Sequence, residues 1–157
     1  MTSQLPNGTH APSTSSKPIQ LALPLPHAPH SRIHIHLTIL KNSLLLFLST
    51  SSAESGSTLA PMGSLVYAMP NRTNASAQPL STALYPQSTT VDFATRIARI
   101  LARRSGKPTY VGNSMSFAAA GLGGAVEEEM EGLNRVIEVV MAEIAKQDTA
   151  VNGDIAS

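Results

Sequence analysis

The sequence predicts an α+β domain in which two α-helices pack on a single antiparallel-dominated β-sheet of about five to six strands. Three observations favour this fold class. Short apolar segments bounded by turn residues fill residues 32–85, and two longer segments after residue 88 carry apolar residues at helical spacing. Hydrophobic residues make up 42% of the 157 residues, which is enough for one core and hardly for two domains.

The first strands are predicted from residue alternation. Arg32–Leu40 alternates apolar and polar residues, which is the period-two pattern of a half-buried strand. Lys41-Asn42 suits a tight turn, and the continuous apolar run in Ser43–Ser49 is typical of a strand covered on both faces. These two strands are therefore expected to form a hairpin. Ser64–Met69 and Leu80–Tyr85 are predicted as further strands, each ending at a proline.

Two helices and one more strand are predicted in the second half of the chain. Ser88–Gly106 has apolar residues at helical spacing, and Thr89 three residues before Asp92 predicts a capping box. Thr109–Met115 is expected to be a strand. A second helix is predicted from about Ala125 to Lys146, because its apolar residues recur at spacings of four and three.

The composition indicates polar ends around this domain. Residues 1–31 are rich in proline, serine and histidine, so we expect a disordered tail there. Residues 147–157 are polar and are also predicted to be disordered, which leaves the domain at residues 32–146. Thr50–Gly63 is rich in serine and is expected to form an unusually long loop.

The sequence predicts a cytoplasmic protein. It contains no cysteine, which fits a reducing compartment, and its N-terminal stretch lacks the apolar segment of a secretory signal. The most apolar window, Leu37–Leu48, is shorter than the roughly 20 residues that a membrane helix needs.

No arrangement of residues predicts an active site, a metal site or a cofactor site. His34 and His36 have a two-ligand spacing, but zinc needs three or four ligands and cysteine is absent. Gly106-Lys107 lacks the remaining P-loop residues, and Gly121–Gly124 precedes three glutamates that would repel a phosphate. We therefore expect no enzyme. The remaining alternative is a dispersed Ser/His site, which loss of activity in a His34→Ala variant would reveal.

The charges predict protein docking surfaces on the two helices. Three arginines at i, i+3 and i+7 form a basic stripe on the first helix, and the second helix is acidic. Two alternatives are solvated faces and pairing between the helices; nucleic-acid binding is a third, which the net charge of +1 argues against. Reversing the charge of the stripe should weaken partner binding without unfolding the domain. The predicted interface residues are Arg96, Arg99, Arg103, Arg104, Glu128 and Glu131.

Four segments, in this order and spacing, resemble the proteasome assembly chaperone 4 family, and the resemblance covers residues 32–133. No single segment is specific, but the ordered set is. The segments are the hairpin Ile33–Phe47, the strand Pro79–Leu84, the helix and strand Ala94–Val111, and the acidic helix start Glu127–Glu131.

The resemblance implies a non-catalytic chaperone without a cofactor. Members of that family form a heterodimer with assembly chaperone 3, a protein of similar fold. The heterodimer binds α-type subunits of the 20S proteasome, assists assembly of the α-ring and leaves before the particle matures. The resemblance implies a cytoplasmic location, with nuclear presence allowed. A heterodimerising adaptor or scaffold subunit unrelated to the proteasome remains the alternative.

Overall fold

One six-stranded sheet and two helices make up the described part of the chain. The structure is a computed structural model, and it describes residues 17–25, 28–52, 61–117 and 126–154. It confirms the predicted α+β fold class. The strands are β1 (Ile19–Leu25), β2 (Ala28–Ile39), β3 (Leu44–Ser52), β4 (Ser64–Met69), β5 (Leu80–Tyr85) and β6 (Thr109–Asn113), and the helices are α1 (Val91–Ser105) and α2 (Val126–Asp154).

The strand order in the sheet is β1-β2-β3-β6-β4-β5. β6 lies parallel to β3, and all other neighbouring strands are antiparallel. The predicted hairpin is confirmed: β2 and β3 pair from Ile39 opposite Leu44, across the Lys41-Asn42 turn. The last strand in sequence therefore occupies the middle of the sheet, between two antiparallel pairs.

Both helices pack on the same face of the sheet. Alternate residues of β2 and β3 are buried on that face, as period-two side-chain direction requires. The apolar side of α1 and one stripe of α2 complete the core. The largest fully buried apolar side chains are Ile33, Ile35, Leu37, Leu44, Leu46, Val66, Ile97, Leu101, Val111, Val136 and Val140.

β1 occupies residues that were predicted to lack regular structure, and the structure corrects that prediction for Ile19–Leu25. This strand pairs with β2, with Ile19 opposite Leu37. Pro24 is tolerated because β1 is at the edge of the sheet, where half of the backbone groups need no ladder partner. Apolar side chains at alternate positions pack against the core and outweigh the proline content. Residues 1–16 lie outside the described residues.

Helix α1 differs from its prediction at the start and agrees at the end. It begins after Thr90, whose hydroxyl makes no capping bond to the helix, so the predicted capping box of Thr89 and Asp92 is wrong. The Thr90 hydroxyl instead accepts a hydrogen bond from the amide of Ser64 at 3.1 Å. Gly106 ends the helix with φ of +66° and donates its amide to the carbonyl of Ala102.

Helix α2 is longer than predicted, because it continues past Lys146 to Asp154. Its predicted apolar seam is buried from Leu133 to Ile144 and packs on the chain's own sheet and on α1. The predicted start at Ala125 lies outside the described residues, as do residues 53–60 of the predicted loop. The rest of that loop is shortened by β3, which continues to Ser52.

A buried polar junction joins β4, β6 and the start of α1. The junction consists of Ser64, Thr90 and Asn113, whose side chains are all buried. The hydroxyls of Ser64 and Thr90 lie 2.8 Å apart, and the amide nitrogen of Asn113 donates to the carbonyl of Thr90 at 3.2 Å. Gly63 precedes the junction with φ of +68°, and a side chain there would collide with the backbone of Asn113. The junction therefore depends on a glycine at this position.

Candidate protein-interaction surface

The face of the sheet opposite the helices is not covered by any described element, and we call it the open face. Alternation along each strand defines its members, because the intervening residues point into the core. The open face comprises His34, His36 and Thr38 of β2, Leu45, Phe47 and Ser49 of β3, Tyr110 and Gly112 of β6, Leu65, Tyr67 and Met69 of β4, and Leu80 and Thr82 of β5.

An apolar row crosses the centre of the open face. Leu45 is opposite Tyr110, and Tyr110 is opposite Tyr67 on the next strand. The two tyrosine rings have centroids 4.8 Å apart and planes tilted by 45°. Aromatic pairs at such distances contribute about 0.5–1.5 kcal/mol beyond the area they bury. The row is therefore held in place before any partner arrives.

A second row depends on a glycine. Phe47 is opposite Gly112, and a Cβ atom at Gly112 would lie only 2.6 Å from Cε1 of the Phe47 ring. The missing side chain leaves the space that the ring occupies, so the ring packs directly against β6. Gly112 thus positions the largest apolar side chain of this row.

The open face exposes large apolar side chains to solvent. Phe47 is 38% exposed and Tyr110 is 37% exposed, and Met69 and Leu80 lie nearby with still larger exposed fractions. Contiguous apolar surface of this kind marks interaction sites in proteins that are otherwise soluble. A sheet needs a second layer on an apolar face, and the described chain supplies none here.

The predicted interface arginines fall into separate surroundings. Arg96 joins the two helices: its Nη1 lies 3.6 Å from Oε1 of Glu129 and 3.9 Å from the sulfur of Met130. Arg99 lies on the other side of α1, where its Nε donates to the hydroxyl of Ser81 in β5 at 2.8 Å. The structure therefore does not bring these two arginines into one continuous stripe.

The other predicted interface residues are distributed along both helices. Arg103 and Arg104 are exposed in the last turn of α1, and Glu131 is exposed on α2. Glu128 is only 4% exposed, and among the described residues neither carboxylate oxygen has a hydrogen-bond partner. Three of these four side chains are thus accessible. The interface role assigned to all of them stays a prediction.

The burial of Glu128 predicts an effect on stability. We expect Glu128→Leu to raise the free energy of unfolding by about 1–3 kcal/mol, because it removes a buried acceptor without a partner. Urea denaturation would measure the change. Glu127→Leu is the matched control, since it also removes a carboxylate from the first turn of α2 but at an exposed position. A loss of stability in Glu128→Leu alone would contradict the expectation.

The histidines and glycine-rich segments form no site of another kind in the described ranges. His34 and His36 share the open face as predicted, and Nε2 of His34 lies 2.7 Å from the hydroxyl of Ser51. No group of three potential ligands within the described residues could hold a metal ion. Neither helix, as far as the structure describes them, is both long enough and apolar enough to cross a bilayer. His27 and Gly121–Gly124 lie outside the described residues.

The open face was not predicted from the sequence, although one signal for it was present. The apolar run of β3 predicted cover on both faces, and only one face is covered within the described chain. Leu45 and Phe47 are the residues of that run which lack cover. A two-layer fold with one apolar face left open defines a small protein-binding domain.

Comparisons with known proteins identify the family. The family model "Proteasome assembly chaperone 4" matches residues 32–115, which is more than half of the 157 residues. A solved structure, "Crystal Structure of a Novel Chaperone Complex for Yeast 20S Proteasome Assembly", contains a chain of similar fold. That chain is 16% identical, with a TM-score of 0.50 over 85% of this chain and 95% of its own length. The search of curated proteins finds no match.

The chain belongs to the proteasome assembly chaperone 4 family, which confirms the resemblance seen in the sequence. It is therefore a non-catalytic proteasome assembly chaperone and not an enzyme.

Proposed function

We propose that the chain acts as one half of a heterodimer of two small chaperones, and that the heterodimer binds α-type 20S subunits during assembly of the α-ring. The observation that carries the proposal is the open face, which is one apolar layer without a second. The similar yeast chain belongs to a chaperone complex for 20S proteasome assembly, which supports a partner chaperone. We further propose that the chain works in the cytoplasm, with nuclear presence allowed.

Sheet stacking accounts for the heterodimer. A partner of similar fold would bring an open face of its own, and stacked sheets lie about 10 Å apart with their side chains interdigitated. Tyr110 and Phe47 would then be buried at the centre of the interface, where aromatic residues most often carry the binding energy. The more polar side chains of β2, such as His34 and His36, would lie towards the rim.

The helices remain outside such a heterodimer, because they cover the opposite face of the sheet. Their exposed charges, including Arg103 and Arg104, are then available to α-type subunits. Charge complementarity at these positions would govern the association rate and the choice of subunit. The mechanism is holding: the chaperone covers a surface of the assembly intermediate until the correct neighbour replaces it, and no bond is made or broken.

Affinity purification of the tagged chain from its own cells tests the proposal. We expect a second small chaperone together with free α-type subunits, and few mature particles. Recovery of a stable small partner without proteasome subunits would favour the adaptor alternative. Recovery of α-type subunits without a second chaperone would contradict the heterodimer.

Charge reversal at the end of α1 predicts a selective loss in the same experiment. We expect Arg103→Glu with Arg104→Glu to reduce recovered α-type subunits about tenfold, a free-energy change of about 1.4 kcal/mol, while the second chaperone is retained. The control is the double lysine variant, which keeps both positive charges. Equal recovery of α-type subunits by the glutamate and lysine variants would show that this surface is not used.

A further inference from the structure

The outer edge of β5 is an unpaired strand edge in the described part of the chain. β5 ends the strand order and pairs only with β4 among the described strands. Five of its six residues are exposed, including Leu80 at 64%, Leu84 at 52% and Tyr85 at 57%. Half of the backbone N–H and C=O groups of an edge strand point away from its neighbour, so they can pair with another strand.

β5 lacks the features that protect strand edges from pairing. Proteins protect such edges with prolines, charged residues or bulges in the edge strand, or by covering them. The opposite edge, β1, contains Pro24 and packs half of its side chains against the core. β5 contains neither a proline nor a charge and has strongly strand-forming residues. Pro79 and Pro86 flank it and limit the length of strand that could be added.

The helix side of this edge is basic. Arg99 reaches over from α1, and its Nε donates to the hydroxyl of Ser81 at 2.8 Å. A guanidinium has five donors in a fork that matches a carboxylate, and that bond uses one of them. No carboxylate forms an ion pair with Arg99 among the described residues. An acidic side chain arriving beside Ser81 would therefore find a charged, partly buried donor.

The other side of the same edge is apolar. Leu80 and Thr82 lie on the open face, since they are opposite Met69 and Tyr67 of β4. Side chains of an added strand alternate between the two sides of the sheet. The edge thus fits a segment whose acidic residues alternate with apolar ones.

A second copy of this chain fits the edge poorly. Two copies that paired through β5 would place their Arg99 side chains on the same face of the joint sheet, where like charges repel. The charge beside the edge favours an acidic partner instead.

We propose that the β5 edge binds an extended acidic segment of a partner protein by strand addition, with a carboxylate of the segment bound to Arg99. Backbone pairing supplies affinity in this mode of recognition, and side chains at alternate positions supply specificity. The site is distinct from the centre of the open face and does not require the proposed heterodimer.

Binding of a designed peptide to the full chain tests the proposal. The probe is a labelled eight-residue peptide of alternating valine and glutamate, and the readouts are fluorescence anisotropy and backbone amide shifts. We expect saturable binding with the largest shifts in residues 80–85. A peptide with N-methylated backbone amides should not bind, because it cannot pair as a strand.

Charge-swap variants separate the role of Arg99 from general electrostatics. Arg99→Glu should weaken binding of the glutamate peptide at least tenfold and should bind a valine–lysine peptide instead, a gain that a misfolded variant could not show. Arg104→Glu makes the same change in net charge about 140° around α1 and should bind the glutamate peptide normally. Equal weakening by both variants would overturn the proposal.

Two further outcomes would also overturn it. Binding of the N-methylated peptide would mean that no strand is added. Shifts centred on Tyr67 and Tyr110 would place the peptide on the open face. If the chain dimerises with concentration and the dimer excludes the peptide, the occupant of the edge is a second copy and not an acidic partner.

Discussion

Alanine in place of Gly63 is expected to lower the free energy of unfolding by about 3 kcal/mol or more. Two costs act together: a positive φ costs a non-glycine residue about 1–3 kcal/mol, and forcing atoms into a filled site costs about 1–3 kcal/mol. The added Cβ would meet the carbonyl group of Asn113 and lie 2.8 Å from the Cα of Ser114. These are backbone atoms, which cannot rotate away. Domains of this kind have about 5–15 kcal/mol in total, so the loss is large.

Gly106 provides a matched control for this prediction. It has nearly the same backbone angle, φ of +66° against +68°, but a Cβ there would meet nothing within 4 Å. We expect Gly106→Ala to cost only the conformational part, about 1 kcal/mol. Urea denaturation of both variants measures the difference. Equal losses in the two variants would contradict the importance of the close approach to Asn113.

Glutamate in place of Tyr110 is expected to abolish pairing with the second chaperone. The substitution would bury a charge at the centre of the proposed sheet-on-sheet interface and remove the Tyr67 ring contact. We expect affinity to fall at least a hundredfold, about 2.7 kcal/mol, since central aromatic residues commonly contribute this much. Tyr110 is partly exposed in the single chain, so the domain should remain folded.

Sedimentation of the variant with its partner would measure this loss. Asn134→Glu is the control, because it adds the same charge at an exposed position of α2, on the helix side of the molecule. The control should bind the partner as the unchanged chain does. If Tyr110→Glu pairs normally while remaining folded, the heterodimer uses another surface.

Periodicity predicted most of the fold because burial on one face leaves a regular trace in the sequence. The alternation in Arg32–Leu40 became β2, and the helical spacing after residue 88 became α1. β1 escaped prediction because prolines were given more weight than the alternating apolar residues of Ile19–Leu25. An edge strand tolerates a proline, and the position of a strand within a sheet is a tertiary property that local sequence does not contain.

The interaction surface was harder to predict than the fold. Charge patterns identified Arg96 and Arg99 as one stripe, but the packing of α1 directs the first towards α2 and the second towards β5. Glu128 has the same residue type as its exposed neighbours, and only the packing of α2 reveals that it is buried. The open face was present in the apolar run of β3, yet which side of that strand lacks cover depends on where both helices pack.

The central position of β6 has a consequence for biosynthesis. Two antiparallel units, β1-β2-β3 and β4-β5, become one sheet only when Thr109–Asn113 inserts between them, and its partner residue Leu44 lies far upstream. A nascent chain on the ribosome therefore carries two unjoined hairpins, with their apolar faces unprotected, until translation has passed residue 113. Such long-range pairing slows folding. This chaperone should thus need protection from aggregation during its own synthesis.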